Sequence, residues 1–385
     1  MRRNNIEGLL VFGSGRDKWD RYVTNEVGGI AALSLDAEPA YLVGRFPLPR
    51  FDEPGQAFDR WVSDVRLGPP VKTITDFLCE RGLDDKRVGV VGLSSRIHVE
   101  PAGSIPYRSW IAITAANPKT QFVDVAEQFE MMTMVKSPEE QEMLRKAAEI
   151  GDTACQAFID ACRPGARESE VGGAALGAIV AAGGWMAFPT LIMRSGRNRF
   201  AWGVPEWTSM GGGSRTIQAG DSVSAELFSF YGGFETQQQI DVSVGEPDDD
   251  LAFVADVATQ SYRRGLEILR PGVKFSQLSD AMHEPLVEAG CWNTGPHIQT
   301  VSPVIFNSPT HINVAIDPGM AHLPALPPEV PRDGEFTVEA GVAFAFEPNA
   351  LRNQRRVCIG GTVLVTENGY EELNSVPNQL HVVPA

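Results

Sequence analysis

Two acidic residues, Glu226 and Glu347, lie in segments whose other residues predict buried strands. Glu226 belongs to SVSAELF, in which the alternate residues beginning with Val223 face the opposite side of the strand. Glu347 follows the apolar run GVAFAF and precedes Pro348, so its charge needs a compensating partner. Carboxylates in such positions are suited to general acid/base or nucleophilic catalysis. We therefore predict that Glu226 and Glu347 are catalytic.

The sequence ETQQQ at 235–239 places amides next to this predicted chemistry. The two-residue period of a strand puts Glu235, Gln237 and Gln239 on one face and turns Gln238 to the other. Amide groups donate and accept hydrogen bonds without carrying charge, which suits an amide, a urea or a carboxylate-bearing ligand. We predict that Gln237 and Gln239 bind substrate, the alternative being a run of solvent-facing polar residues.

Histidines and arginines complete the candidate site. His297 is predicted to be a third catalytic group, because an imidazole ordinarily titrates near neutral pH, although a lone histidine is more often structural. The segments RSGRNR at 194–199 and LRNQRR at 351–356 are predicted to supply a guanidinium that binds a carboxylate. The predicted substrate-binding residues besides the glutamines are His311, Arg197, Arg199, Trp202, Arg352 and Arg356.

The elements that must position these residues fall into two parts. In the first part, short apolar runs such as GLLVF alternate with helical patterns, which is typical of an α/β domain. Ser137 is a good N-cap with Pro138 at the first helical position, and the pattern predicts a helix that ends near Pro164. We therefore predict an N-terminal α/β domain over 1–130 and a second, catalytic domain over 136–385.

The second part contains an internal repeat. Residues 163–184 align without a gap to 270–291 at a constant offset of 107, and both copies begin with Arg-Pro-Gly. Two copies are too few for a solenoid, so the repeat indicates two similar halves related by a pseudo-twofold axis. Each half is predicted to run helix, turn, helix and then strands. The strands of both halves are predicted to form a curved antiparallel sheet with a central cleft.

Composition excludes several classes of protein. The 385 residues carry 49 Asp and Glu against 33 Lys and Arg, and a net charge of −16 disfavours nucleic-acid binding. The apolar run near the N-terminus is too short for a signal peptide or a membrane span, so we expect a cytoplasmic protein with no membrane association. Its five cysteines are scattered without a C-x-x-C pair, which predicts buried free thiols.

Five segments together resemble the pita-bread family, which includes creatinase, Xaa-Pro dipeptidases, methionine aminopeptidases and ectoine hydrolase. They are SPEEQEMLRKA, the two RPG halves, GDSVSAELF with YGGFE, FEP, and GGTVLVTENGYEEL, and they cover about 136 to 380. The resemblance implies a small N-terminal creatinase-like α/β domain, a C-terminal pita-bread domain, and a homodimer with the N-terminal domain of one subunit near the site of the other.

The resemblance also implies where metal-dependent relatives bind their ions. The five ligand positions fall on Glu226, Gln237, His297, Glu347 and Gly360. Gln237 is a weak neutral ligand and Gly360 has no side chain, so we expect no dinuclear centre, no metal and no other cofactor. The place of the family's first active-site histidine is taken by Trp202 and Gly203. This pattern is most similar to the metal-independent creatinase and ectoine hydrolase branch.

These observations predict a metal-independent hydrolase of a C–N bond, whether amide, amidine or ureido. The substrate is predicted to be a small polar molecule that bears a carboxylate. One alternative is a single metal ion held by Glu226, His297 and Glu347, as in a lyase or an Xaa-Pro peptidase-like hydrolase. Another alternative is a non-catalytic pita-bread module that binds a peptide or protein.

Overall fold

The computed structural model describes residues 1–13, 19–44, 61–94, 104–187, 189–197, 203–313, 329–330 and 335–385. These residues form two compact units, Met1–Met132 and Thr133–Ala385. Each unit has its own buried core, and the candidate site residues named above that fall in the described ranges belong to the second unit.

The first unit is an α/β domain built on one mixed sheet, whose strands run in the order β4-β3-β2-β1-β5-β6. Strand β1 pairs antiparallel with β2 and parallel with β5. Its elements are β1 (Gly8–Phe12), α1 (Trp19–Thr24), β2 (Gly29–Ser34), β3 (Ala37–Val43), β4 (Asp64–Leu67), α2 (Pro70–Glu80), β5 (Arg87–Val91), α3 (Tyr107–Ala116), β6 (Gln121–Asp124) and α4 (Ala126–Thr133), after a 3₁₀ turn at Arg2–Asn4.

The second unit repeats one pattern, in which two helices precede a group of strands. Its first half contains α5 (Pro138–Ala161), α6 (Glu168–Ala181), β7 (Leu191–Gly196), α7 (Glu206–Ser209), β8 (Ser222–Tyr231) and β9 (Phe234–Val244). Its second half contains α8 (Asp249–Ile268), α9 (Phe275–Ala289), β10 (Ile298–Thr300), β11 (Thr310–His311), β12 (Glu329–Val330), β13 (Ala343–Phe346), β14 (Asn349–Arg352), β15 (Arg355–Cys358), β16 (Gly361–Thr366), β17 (Gly369–Glu372) and β18 (Leu380–Val383).

Helix α5 begins where its sequence predicts. The Ser137 hydroxyl accepts a hydrogen bond from the backbone N–H of Glu140, and the Glu140 carboxylate accepts one from the backbone N–H of Ser137. This reciprocal capping satisfies two backbone donors at the helix start. Each RPG turn then leads from a long helix into the shorter helix of its half, as the repeat predicts.

Two four-stranded sheets carry the polar face of the second unit. One sheet has the order β18-β9-β8-β7 and the other has the order β10-β13-β16-β17. A bridge joins them, because Gln239 and Gly360 exchange backbone hydrogen bonds of 3.0 and 3.2 Å. The sheets are antiparallel except that β18 pairs parallel with β9, which the predicted all-antiparallel arrangement did not anticipate.

The core fixes which face of β8 and β9 is available for a site. Val223, Ala225 and Leu227 are buried in one apolar cluster with residues of α5 and α6. The alternate residues of these strands therefore face the opposite side of the sheet.

Four of the five cysteines are buried as predicted, whereas Cys79 near the end of α2 is exposed.

Candidate active site

Strand register places two rows of side chains side by side on the polar face. Ile192 of β7 pairs with Glu226 of β8, which pairs in turn with Gln239 of β9. In the neighbouring row, Arg194 of β7 pairs with Ser224, which pairs with Asp241. Successive rows on one face of a sheet are about 7 Å apart along the strands.

Glu226 and Glu347 meet at Gln239. Both carboxylates are buried, with 1% and 3% of their surface exposed, and Gln239 is 6% exposed. The Nε2 of Gln239 donates a 2.7 Å hydrogen bond to Oε2 of Glu347, while Glu226 is the direct cross-strand neighbour of Gln239. The structure thus brings together the two predicted catalytic carboxylates and one predicted glutamine.

Gln237 has a different role from the one its sequence predicts. Its Nε2 donates to Oε1 of Glu235 at 2.5 Å, and its Oε1 accepts from Nε2 of Gln299 at 2.7 Å. Both ends of the amide are therefore used within the protein, and Gln237 connects β9 to β10. Gln238 faces the other way, as predicted, and donates to Asp152 of α5 at 2.9 Å.

A buried ionic cluster lies one row away from the carboxylates. Asp241 accepts hydrogen bonds from the Ser224 hydroxyl and from the backbone N–H of Cys358. Burial raises the pKa of Asp241 to about 7, although the nearby Arg356 guanidinium and these hydrogen bonds act in the opposite direction. Arg356 is itself buried and donates from Nε to Thr294 Oγ1 at 3.2 Å.

The buried Cys358 thiol stays protonated. Burial raises its pKa well above the ordinary range, and Arg356 only partly offsets this increase. The charges of Glu347, Asp241 and Glu226 raise that pKa further. Because the thiolate is the nucleophilic form of cysteine, Cys358 is not suited to nucleophilic attack.

A small cleft lies beside these groups, and its volume of about 10 Å³ is roughly what one water molecule needs. The side chains around it combine cationic, amide and apolar groups. Among the residues that line it are Ile192, Arg194, Ser224, Gln239, Arg356 and Cys358.

Three histidines form a separate cluster. The ring of His297 is buried, and its Nε2 lies 3.2 Å from Nδ1 of His283, whose ring stacks on that of His311 with centroids 3.8 Å apart. Burial, together with the other two histidines, lowers the pKa of His297 to about 3. The prediction that His297 exchanges protons near neutral pH is therefore wrong, because its imidazole is neutral there.

The predicted arginine and aromatic contacts divide into three groups. Arg356 lines the cleft, as expected. Arg197 is exposed and pairs with Asp248 at 3.9 Å, while Arg352 donates to the Ala289 carbonyl at 3.1 Å and lies over the Phe253 ring. Both are thus engaged elsewhere. Arg199 and Trp202 lie outside the described residues.

Sequence reasoning missed Asp241 and His283 and did not single out Arg194. Asp241 had a usable signal, because it lies two residues beyond Gln239 and so shares its face. Arg194 shares a face with Ile192 by the same rule, but the pairing of β7 with β8 is not readable from sequence. His283 lies within α9 and meets His297 only through tertiary packing.

The residues present do not fit the metal centre that the resemblance implies. A Cβ atom on Gly360 would lie 1.8 Å from the Phe346 carbonyl oxygen, so no ligand side chain fits on this backbone. The Gln237 amide is already bonded at both ends. Among the described residues, no three His, Cys, Asp or Glu side chains converge as a metal-binding set. The single-ion set of Glu226, His297 and Glu347 is likewise not formed.

The helices in the described ranges include none with the length and hydrophobicity needed to cross a bilayer.

Comparison with known proteins gives consistent matches along the chain. The Bacillus subtilis protein named uncharacterized peptidase YqhT is 23% identical over 385 residues, covering 98% of this chain and 96% of its own length. A creatinase from a Bacillus species is 27% identical over 182 residues, covering 44% of this chain and 41% of its own length. The structure of an X-Pro aminopeptidase from Thermotoga maritima superposes with a TM-score of 0.76 at 17% identity, covering 99% and 97% of the two chains.

The structural match confirms the two-domain pita-bread fold that the five sequence segments imply. The model of metallopeptidase family M24 matches residues 142–367, which is more than half of the chain and includes Glu226, Gln239, His297 and Glu347. The chain therefore belongs to metallopeptidase family M24, a family of hydrolases.

Proposed function

We propose that the protein hydrolyses a C–N bond in a small, carboxylate-bearing molecule without a metal ion. The observation that carries the proposal is the hydrogen bond from Gln239 to Glu347, which holds one buried carboxylate beside the strand that bears the other, Glu226. Two neighbouring carboxylates can serve as the general base and the general acid of a hydrolysis. The similarity to a creatinase supports the same class of reaction.

The proposed reaction consumes one water molecule. One carboxylate takes a proton from the water as its oxygen forms a bond to the carbonyl or amidine carbon, and the other, protonated, carboxyl gives a proton to the leaving nitrogen as the C–N bond breaks. The products are an amine together with an acid, with an amide where the substrate is an amidine, or with a urea where it is a guanidino compound. Gln239 positions Glu347 and presents its amide to the cleft.

A substrate screen with purified protein tests this proposal. The panel contains creatine, ectoine, ureido acids and Xaa-Pro dipeptides, each assayed for amine release with EDTA and with added manganese, cobalt or zinc. We expect turnover of a non-peptide C–N substrate that EDTA does not reduce, and no stoichiometric metal by elemental analysis. Turnover that depends on added metal would refute metal-independent hydrolysis.

Two isosteric variants test the catalytic pair. Glu347→Gln and Glu226→Gln are each expected to lower kcat by about 100-fold or more, since general acid/base groups contribute at least that much. Glu168→Gln is the control, because Glu168 is also a buried carboxylate of this domain but accepts its hydrogen bonds from Ser195. Loss of activity only in the first two variants supports the assignment, and equal losses in all three contradict it.

An Xaa-Pro peptidase-like activity is the second candidate. What favours it is the extent of the similarity, since peptidase-named relatives align over nearly the whole chain. It predicts metal-dependent cleavage of Xaa-Pro dipeptides, which the same screen measures. The unfit ligand positions at Gln237 and Gly360 make this the less favoured candidate.

We also propose that the protein is a homodimer, as the resemblance to creatinase implies. Light scattering coupled to size-exclusion chromatography tests it, with an expected mass of twice the 41.8 kDa chain. A monomeric mass at micromolar concentration would contradict it.

A further inference from the structure

Arg194 reaches the cleft with part of its guanidinium unused. Its Nη1 donates to the carbonyl oxygens of Met193 at 2.9 Å, Gly203 at 3.0 Å and Val204. Its Nε is buried and has no hydrogen-bond partner in the described part of the chain, where no acidic side chain forms an ion pair with it either. The side chain lines the cleft beside Gln239 and Arg356.

The unused edge of this guanidinium has the geometry for a carboxylate. With Nη1 taken by backbone carbonyls, the edge formed by Nε and Nη2 is left, and parallel N–H groups on one guanidinium edge bind both oxygens of a carboxylate. Leaving a buried cationic donor without an acceptor is unfavourable, so an anion at this position recovers hydrogen bonding that the free protein lacks.

Arg356, the other cleft arginine, is less available. It faces the buried Asp241, whose charge opposes its own, and its Nε already donates to Thr294. Of the two cleft arginines, Arg194 is the one whose Nε is buried without a hydrogen-bond partner among the described residues.

The position of Arg194 also sets the size of the ligand. Arg194 lies in the row of Ser224, and the reactive row of Glu226 and Gln239 is the next one along the strands. Rows on one face are about 7 Å apart, a distance that a molecule the size of an amino-acid derivative spans. A carboxylate held at Arg194 thus leaves a nearby C–N bond beside the two catalytic carboxylates.

We infer that Arg194 binds the substrate's carboxylate and selects small anionic molecules over their neutral analogues. This inference rests on the proposed function, because only that function makes the bound molecule a substrate. Its binding component does not depend on turnover, and can therefore be measured separately.

A matched pair of probes tests the inference. N-acetylglycine carries a carboxylate, and N-acetylglycinamide replaces it with a neutral amide of nearly the same shape. Binding of each is measured by calorimetry and by thermal shift to wild type, Arg194→Gln, Arg194→Lys and the control Arg352→Gln. Arg352 is a suitable control because its guanidinium contacts Ala289 and Phe253 rather than the cleft.

We expect wild type and Arg352→Gln to bind the acid about tenfold or more tightly than the amide, as a charge-assisted bidentate pair provides. The ratio should fall to about one in Arg194→Gln and recover in part in Arg194→Lys, which restores the charge without the fork. Circular dichroism checks that each variant is folded. If Arg194→Gln is unfolded, Arg194→Lys serves as the test variant.

Three results would overturn the inference: equal binding of acid and amide by wild type, no binding of either, or unchanged discrimination in a folded Arg194 variant. Selective binding without hydrolysis of any panel compound would instead count against the proposed hydrolase alone. Hydrolysis of a carboxylate substrate with an unaltered KM in the Arg194 variants would count against Arg194 alone.

Discussion

Gln239 and Glu347, 108 residues apart in sequence, are joined by a 2.7 Å hydrogen bond between two buried side chains. One residue belongs to the first half of the repeat and the other to the second. The bond therefore ties the two halves together at the point where their sheets meet. Because Glu226 is the cross-strand neighbour of Gln239, a neutral residue at 239 also separates two carboxylates.

Replacing Gln239 by glutamate should destabilise the protein in a pH-dependent way. Gln239→Glu removes the donor to Glu347 and adds a third buried carboxyl, so at pH 8 we expect a loss of about 3 kcal/mol, typical of an uncompensated buried charge. The loss should be smaller at pH 5 than at pH 8, because protonation of any one of the three carboxyls relieves their mutual repulsion. Urea unfolding measures both values. Gln260→Glu is the control, because Gln260 donates to Asp256 in the same way on an exposed helix surface.

Residue 360 should tolerate no side chain. A Cβ there would lie 1.8 Å from the Phe346 carbonyl oxygen, and its φ of 144° disfavours other residues, so Gly360→Ala should cost more than about 3 kcal/mol or prevent folding. Gly369→Ala is the matched control: its φ is 157°, but no heavy atom lies within 4 Å of the added carbon. Similar melting temperatures for the two variants would contradict this account.

Asp241 should make the protein less stable as pH rises. Its pKa is about 7 when folded against an ordinary value of 3.8, so the folded state binds a proton that the unfolded state releases between these values. Stability falls through that window by on the order of 4 kcal/mol. Comparing wild type with Asp241→Asn isolates the effect, since only wild type should lose this stability between pH 4 and 7.

Asp248→Asn is the control for that experiment. The Arg355 guanidinium lowers the pKa of Asp248, so its contribution is lost only as pH falls below the ordinary carboxyl range. The difference between wild type and Asp248→Asn should therefore be constant from pH 5 to pH 8. A pH-independent difference for Asp241→Asn as well would show that Asp241 is ionised in the folded protein throughout.

The histidine cluster should make the protein less stable as pH falls. Burial lowers the pKa of His283 to about 4, and that of His297 is about 3, whereas both titrate near 6.5 when unfolded. The unfolded state thus binds more protons below pH 6.5, and stability falls as pH decreases toward 3. His283→Gln should reduce this decline in urea midpoints measured at pH 7 and pH 4.5. An undiminished decline would place its origin elsewhere.

Removal of the N-cap of α5 should lower the free energy of unfolding by a measurable amount. Ser137→Ala removes the acceptor for the Glu140 N–H and should lower the free energy of unfolding by about 1 kcal/mol. Ser137→Asp retains an acceptor and should cost much less. A loss in both variants would mean that another contact of Ser137 matters, such as its hydrogen bond to Glu139.

Local patterns made much of this structure predictable. The cap at Ser137, the length of α5 and the opposite directions of Gln238 and Gln239 depend on periodicities that neighbouring residues define. The burial of Glu226 and Glu347 followed equally from their apolar neighbours. These features are confirmed because each is decided within a few residues of chain.

The features that the sequence did not predict depend on contacts between side chains of elements that are far apart in the chain. Gln237 looked free to bind a ligand, but Gln299 from β10 occupies its amide oxygen. His297 looked like a group that titrates near neutral pH, but His283 and burial shift its pKa far below that range. In each case a partner remote in sequence determines the electrostatic environment, and no local period identifies that partner.

The parallel pairing of β18 with β9 has a consequence for how the site assembles. Strand β9 carries Gln237 and Gln239, and its edge at Asp241–Val244 stays open until residues 380–383 have been synthesised and have reached it. Contacts between segments so distant in sequence form late and slowly during folding, and an open strand edge invites pairing with other chains. We therefore expect nascent or truncated chains that lack β18 to aggregate through this part of β9.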